Sequence, residues 1–167
     1  QGAGRLRVGV LYGATPHDRN DAVRNRHRGW RKTADGLSTP IVTCPKEACG
    51  GELIWPNGDV DGRLLCCVTC GFELDSLVFT RDALASKPPE ILFTTTEMVN
   101  RLLGVSRMRH LLIGDPNSSP DFILLDEIHT YSGTHGAQVA NLIRRWRSEM
   151  SSPSHVVGLS ATLADPV

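Results

Sequence analysis

Four short apolar runs, each ending in a small or acidic polar motif, constrain this chain more than any other feature. They lie at residues 8–12, 91–93, 122–125 and 156–159. All four are rich in Val, Ile and Leu without clean alternation, the pattern of strands covered on both faces. Between them fall helix candidates at residues 18–30, 97–103 (with Thr96 placed to cap) and 136–150. The last carries Val139, Leu142, Ile143 and Trp146 at helical spacing, with Arg144, Arg145 and Arg147 on other faces. Strands alternating with helices predict an α/β fold built on a parallel sheet.

The polar residues just beyond each run are more informative than the run itself. The first run leads into Gly13-Ala14-Thr15 and the second into Thr94-Thr95-Thr96. The third leads into Asp126-Glu127-Ile128-His129, and the fourth into Ser160-Ala161-Thr162. In an open parallel sheet the carboxyl ends of the strands line the ligand crevice. Four such motifs are therefore expected to converge on one edge.

The chain has 167 residues, enough for one domain or one domain carrying a small insertion. No apolar run approaches the roughly 20 residues of a membrane-spanning helix, and Arg5 and Arg7 interrupt any leader-like start. It begins with Gln1 and stops at Asp165-Pro166-Val167, which reads as a piece of a larger protein. The 18 basic and 18 acidic residues cancel overall, but residues 1–38 carry eight positive and three negative side chains. Arg24, Arg26, Arg28 and Arg31 recur there with His27 and Trp30, either to meet phosphates or as a solvated helix face.

Residues 39–80 break the strand–helix pattern and read as an insertion. Cys44 and Cys49 are separated by four residues, and Cys67 and Cys70 by two, with 17 residues between the pairs. Glycine follows each pair and lets backbone amides turn toward the thiolates. The pattern fits a tetrahedral, four-thiolate structural zinc site of the ribbon type, with buried free cysteines or a disulfide as the alternatives. Cys44, Cys49, Cys67 and Cys70 are the expected ligands, although Cys66 competes with Cys67 by spacing. Residues 53–55 and 63–65 flank Asn57-Gly58, a hairpin signal, and a hairpin without its own core would need the metal to fold. The insert is acidic (Lys46 and Arg63 against Glu47, Glu52, Asp59, Asp61, Glu73 and Asp75), which favours a structural or protein-contacting role over phosphate gripping. Reduced cysteines and the absence of a leader point to a cytoplasmic location.

Adjacent carboxylates leaving a buried strand suit Mg²⁺ and phosphate chemistry, although strand-to-loop boundaries often carry acids. The run Ile123-Leu124-Leu125-Asp126-Glu127-Ile128-His129 resembles motif II of the superfamily 2 DExH-box helicases. Leu159-Ser160-Ala161-Thr162-Leu163 resembles their motif III. Residues 91–98 resemble motif Ib, with Thr96 where many relatives have proline. Gly13-Ala14-Thr15-Pro16 sits where related helicases have a glycine-threonine segment touching the nucleic-acid backbone. The stretch 126–140, with Tyr131, Gly133 and Gly136, is similar to the Lhr-type and related repair-helicase branch.

The resemblance implies the first RecA-like lobe of an ATP-dependent helicase or translocase, residues 1–38 and 81–167, with helices on both faces of its sheet. Asp126 would bind Mg²⁺ through water, Glu127 would be the general base for ATP hydrolysis, and His129 would couple the nucleotide site to a second RecA-like lobe. Ser160, Ala161 and Thr162 would link hydrolysis to strand separation. Gly13, Thr15, Thr94 and Thr95 would contact the sugar-phosphate backbone, of DNA in preference to RNA. Read without the resemblance, His129 is a surface loop histidine, and Ser160 and Thr162 end a strand.

A phosphate-binding loop needs Gly-x-x-x-x-Gly-Lys-Ser/Thr. The Lys32-Thr33 pair has Arg26 and Arg31 at the two glycine positions, so it does not qualify. The second lobe with its arginine finger is not in the sequence either, and these residues alone are expected not to hydrolyse ATP. Two further functions fit the same motifs: a nucleic-acid-stimulated ATPase that remodels without unwinding, and a non-catalytic zinc-ribbon module on a decayed motor lobe.

Overall fold

The computed structural model describes residues 6–24, 29–104, 108–114 and 119–161. They fall into two units, residues 1–95 and 96–167.

In the first unit, β1 (Val8–Leu11) is the middle strand of a parallel sheet between β7 (Leu77–Val78) and β8 (Ile91–Thr94). Val8 stands opposite Ile91 and Leu11 opposite Thr94, so the first two apolar runs pair in parallel and their polar ends emerge side by side. Arg7 fastens this pair at its start: its backbone N–H donates to the Glu90 carboxylate at 2.8 Å. The helix expected over 18–30 appears as α1 (Arg19–Arg24); residues 25–28, with Arg26 and His27, lie outside the described residues. A short α2 (Arg81–Ser86) follows β7, capped by the Thr80 hydroxyl, which accepts from the Ala83 N–H.

The cysteines sit on a five-stranded antiparallel sheet in the order β2 (Arg31–Lys32), β3 (Gly36–Thr43), β4 (Glu52–Pro56), β5 (Leu65–Cys67), β6 (Glu73–Leu74). It begins ahead of residue 39 and ends before residue 80, and β7 belongs to the parallel sheet. The register of β3 against β4 shifts between Ser38 and Thr43, where Pro40 has no N–H to offer the ladder. β4 and β5 do form a hairpin, but residues 57–64 connect them in place of a two-residue turn. Asp59 organises that loop by accepting the Arg63 and Leu64 N–H groups at 2.7 and 2.8 Å.

This sheet does not lack a core. Trp30, Trp55 and Phe79 pack ring on ring with centroids 5.1–6.1 Å apart, each at most 1% exposed. Leu37, Leu53 and Leu65 join them, as do Ala22 of α1 and, from β1, Val8 and Val10. Parallel and antiparallel sheets therefore share one hydrophobic interior. Burying three aromatic side chains contributes on the order of several kcal/mol to this unit.

In the second unit, β9 (Phe122–Leu125) pairs in parallel with β10 (His155–Gly158), Phe122 opposite His155 and Leu125 opposite Gly158. Coverage on both faces is not what these strands show. Ile123 is buried, but Phe122 and Leu124, which alternate with it, are exposed, as are all four residues of β10. In the first unit Ile91 and Phe93 of β8 are likewise exposed.

Helix α3 (Thr96–Leu103) buries Met98, Val99, Leu102 and Leu103 along one side; Thr96 is its first residue, not its cap. After α4 (His110–Ile113), the long α5 (Gly133–Glu149) buries Val139, Leu142 and Trp146. The Trp146 indole N–H donates to the Leu112 carbonyl at 2.7 Å, and Arg109 pairs with Glu149 at 2.8 Å. α5 starts three residues earlier than its apolar periodicity predicts.

Candidate functional site

Cys44, Cys49, Cys67 and Cys70 converge, with all four sulfur atoms within 4.8 Å of one another. Two of the Sγ–Sγ distances, Cys44 to Cys70 and Cys49 to Cys67, are 3.7 Å. A tetrahedron with Zn–S bonds of about 2.3 Å has edges of roughly 3.8 Å, so the cluster fits a zinc ion. Cys66 stays out of it. Alternation along β5 sends the two adjacent side chains to opposite faces, which decides between them in favour of Cys67.

The backbone explains the convergence. Gly50 and Gly71 adopt positive φ, 53° and 67°, and turn the chain just after each pair. The Thr69 N–H then faces the Cys67 sulfur at 3.4 Å. The Cys70 N–H, followed by that of Thr69, draws the Cys67 thiol down to about 6, while burial drives Cys44 up to about 12. Of these two, Cys67 is the readier to ionise and to take a metal. Carboxylates do not join the cluster among the described residues, and a pure thiolate set is the choice of a closed structural site.

A second group lies at the ends of β1 and β8. Thr15 is fully buried; its hydroxyl donates to the Val10 carbonyl at 3.1 Å and accepts the Tyr12 N–H at 3.0 Å. Thr15 thus braces the loop from inside, while Gly13 is exposed and Ala14 half-buried. A Cβ added at Gly13 would meet nothing within 4 Å. Thr94 donates its hydroxyl to the Leu11 carbonyl at 2.8 Å, tying β8 to β1, and Thr95 is exposed.

Sequence reasoning missed what holds that loop. Arg81 is 7% exposed, and its Nε donates to the Thr15 carbonyl at 2.8 Å while one terminal nitrogen donates to the Tyr12 carbonyl at 3.1 Å. Its backbone N–H takes the Pro16 carbonyl, and the Trp30 indole N–H takes that of Ala14. An arginine 66 residues from its partner leaves no local signal.

The third group lies where β9 and β10 end. Glu127 has left-handed backbone angles (φ 51°, ψ 45°), a conformation that costs a non-glycine residue about 1 kcal/mol or more and is typical of functional turns. Asp126 Oδ1 accepts the Glu127 N–H at 2.9 Å. A single 3₁₀ turn, Ile128–Thr130, comes next, and the Ile128 N–H donates to the Leu159 carbonyl at 3.0 Å. His129 Nδ1 is 2.9 Å from Ser160 Oγ and 3.1 Å from Glu127 Oε2. Asp126, Glu127 and His129 are exposed, Ser160 is half-buried, and Ala161 is exposed. Thr162 lies outside the described residues.

No protein-family model matches the chain, and no solved structure matches it. Over 87 residues, 52% of its length, the chain is 32% identical to a Mycolicibacterium smegmatis protein named "Lhr helicase/ probable uracil glycosylase". It spans 5% of that relative's length. A helicase relationship is what this likeness hints at. Among the described residues, no helix is long and apolar enough to cross a membrane.

Proposed function

We propose that this chain carries the hydrolytic and nucleic-acid-contacting motifs of the first RecA-like lobe of an ATP-dependent DExH-type helicase or translocase. The lobe would comprise the parallel strands and helices that flank the antiparallel sheet β2–β6 in sequence, and that sheet would be its zinc ribbon. The observation that carries this reading is the parallel pairing of β9 with β10. It sets the turn that carries Asp126, Glu127 and His129 beside the end of β10, where His129 Nδ1 meets the Ser160 hydroxyl. The partial likeness to a helicase-named protein supports it.

Asp126 is the Mg²⁺-binding residue in this reading. Its Oδ2 has no protein partner among the described residues and can hold a metal-bound water, as a hydrated magnesium ion requires. Mg²⁺ and ATP, when bound, supply charge neutralisation and the phosphoryl group. Glu127 takes the proton of the attacking water through its carboxylate, aimed by the left-handed turn. His129 senses the same carboxylate and passes its position to Ser160, and onward to Thr162 and a second RecA-like lobe. Exposed Gly13 and half-buried Ala14 offer backbone N–H groups to the phosphates of a nucleic-acid strand, DNA in preference to RNA. Thr94 and Thr95 stand beside them, and Thr15 sets the loop's shape.

ATP turnover by the full-length protein, with and without DNA or RNA, tests the reading beside Glu127→Gln. Turnover stimulated by one nucleic acid and reduced about 10²–10⁴-fold in the variant is expected. Equal turnover in both proteins overturns it. A strand-displacement assay separates unwinding from translocation or remodelling.

A further inference from the structure

We infer that Arg81 and Trp30 are positioning residues for a nucleic-acid contact made by the Gly13–Ala14 backbone, and that the cysteine-bearing sheet is the buttress behind them. The inference rests on the reading of residues 13–15 given above. It explains why an antiparallel sheet is fused to this unit.

All four carbonyls of the loop from Tyr12 to Pro16, Gly13 apart, are held from within. Tyr12 and Thr15 accept from the Arg81 guanidinium, Pro16 from the Arg81 N–H, and Ala14 from the Trp30 indole. The Tyr12 N–H is taken by Thr15 Oγ1, and the Thr15 N–H by Tyr12. That leaves the N–H groups of Gly13 and Ala14 without a protein acceptor among the described residues, at the one place where the loop surface is open. Two free amides on a backbone that cannot turn inward suit a phosphate oxygen.

The clamp depends on the sheet. Trp30 immediately precedes β2 and packs on Trp55 of β4 and on Phe79, next to the α2 cap that presents Arg81. Cys44 and Cys67 belong to the same buried cluster. A guanidinium with two carbonyl acceptors has few alternatives once buried, so its geometry is fixed by those of the loop and the helix together. Neither Arg81 nor Trp30 reaches a bound strand in this scheme; both act through the loop.

The test uses the full-length protein and a fluorescein-labelled single-stranded oligodeoxythymidine, titrated over a range of salt. Arg81→Met and Trp30→Phe are expected to weaken binding about fivefold to tenfold, the loss of roughly one hydrogen bond's worth of loop order each. Arg81→Lys, which can still serve one carbonyl, should recover part of the loss. The slope of log affinity against log salt should not change, because no phosphate loses a cation. Leu84→Ala, fully buried in α2 and without a bond to the loop, is the stability control. Hydrogen exchange of a peptide covering residues 12–16 should accelerate in the Arg81 and Trp30 variants and not in Leu84→Ala.

An equal loss of affinity in Leu84→Ala overturns the inference in favour of general destabilisation. A slope shallower by about one charge in Arg81→Met overturns it in favour of a direct phosphate contact. Gly13→Asp places a carboxylate in open space and reports on the reading beneath it. Weaker binding there with wild-type affinity in the Arg81 and Trp30 variants sinks the positioning role alone. Unchanged binding in Gly13→Asp sinks the nucleic-acid role of the loop, and with it this inference, whatever the exchange data show.

Discussion

His129 Nδ1 stands 2.9 Å from the Ser160 hydroxyl, joining the turns after β9 and β10 across 31 residues of sequence. The same nitrogen faces Glu127 at 3.1 Å. With its proton on Nδ1 the imidazole donates to both; with Nδ1 bare, the Ser160 hydroxyl donates to it. Ser160→Ala removes one arm of this fork at a solvent-accessible position, so its effect on stability should stay within about 0.5 kcal/mol. Its effect on function should be larger. In the full-length protein, nucleic-acid-stimulated ATP turnover is expected to fall while turnover without nucleic acid is kept. A melting curve and a two-condition turnover assay check both halves, and equal losses in the two conditions would remove the coupling role.

The sulfur geometry separates two adjacent cysteines. Cys67→Ser should lower bound zinc well below one ion per chain and depress the melting temperature, whereas Cys66→Ser should keep the full complement. Elemental analysis gives the stoichiometry. Cobalt substitution gives the geometry, since four thiolates produce strong ligand-to-metal charge transfer and tetrahedral d–d bands. Zinc loss from Cys66→Ser with retention in Cys67→Ser would reverse the assignment. Acid should release the metal, because protons compete for every thiolate.

Which of these features the sequence could reveal depends on how local their causes are. The strands β1, β8, β9 and β10 were legible because Val, Ile and Leu runs bounded by polar motifs specify strands and their ends; which of them pair was not. The convergence of four cysteines was legible from spacing, and β5 alternation was needed only to choose between Cys66 and Cys67. The extent of the antiparallel sheet was not, because β2 and β6 are two residues long and β3 contains Gly36 and Pro40. Thr15 illustrates the limit at the site itself. A threonine after a strand reads as a ligand contact, but its burial depends on Arg81 and Trp30, which fold onto the loop from far along the chain. Exposure of Phe122 and Leu124 was equally invisible, since an apolar run does not say how many of its faces are covered.

Glu90 carries a pH signature. Its carboxylate accepts the Arg7 N–H, and that bond, with the nearby charges of Arg7 and Lys87, holds its pKa below the usual carboxylate value. A depressed folded-state pKa means that the stabilisation is present above the unfolded pKa, about 4.3, and is lost as pH falls through the lower folded value. Glu90→Gln should therefore melt earlier than wild type at neutral pH, and the gap should close in acid. Melting temperatures of both proteins across pH 2 to about 7 test this; a gap that persists at the acid end would assign the effect to shape and not to charge.

Gly136 sets two opposing effects against each other inside α5. Replacing a helical glycine by alanine ordinarily stabilises by about 1 kcal/mol, because the unfolded chain has less freedom to lose. Here the added Cβ would lie 2.4 Å from the Tyr131 carbonyl oxygen and 2.8 Å from its carbon, both backbone atoms that cannot rotate away. Relieving that overlap means moving the segment between the 3₁₀ turn and α5, whose Gly136 N–H is bonded to the Ser132 carbonyl at 3.1 Å. Overpacking of this kind costs about 1–3 kcal/mol, so the clash wins and Gly136→Ala should be destabilising overall. The exposed neighbour Ala137 supplies the reference: Ala137→Gly should lose about 1 kcal/mol through propensity alone. Urea denaturation of both variants decides the matter. A stabilised Gly136→Ala would mean that Tyr131 does not approach the helix so closely, and that the turn carrying Glu127 and His129 is set by Ile128 and Leu159 without help from α5.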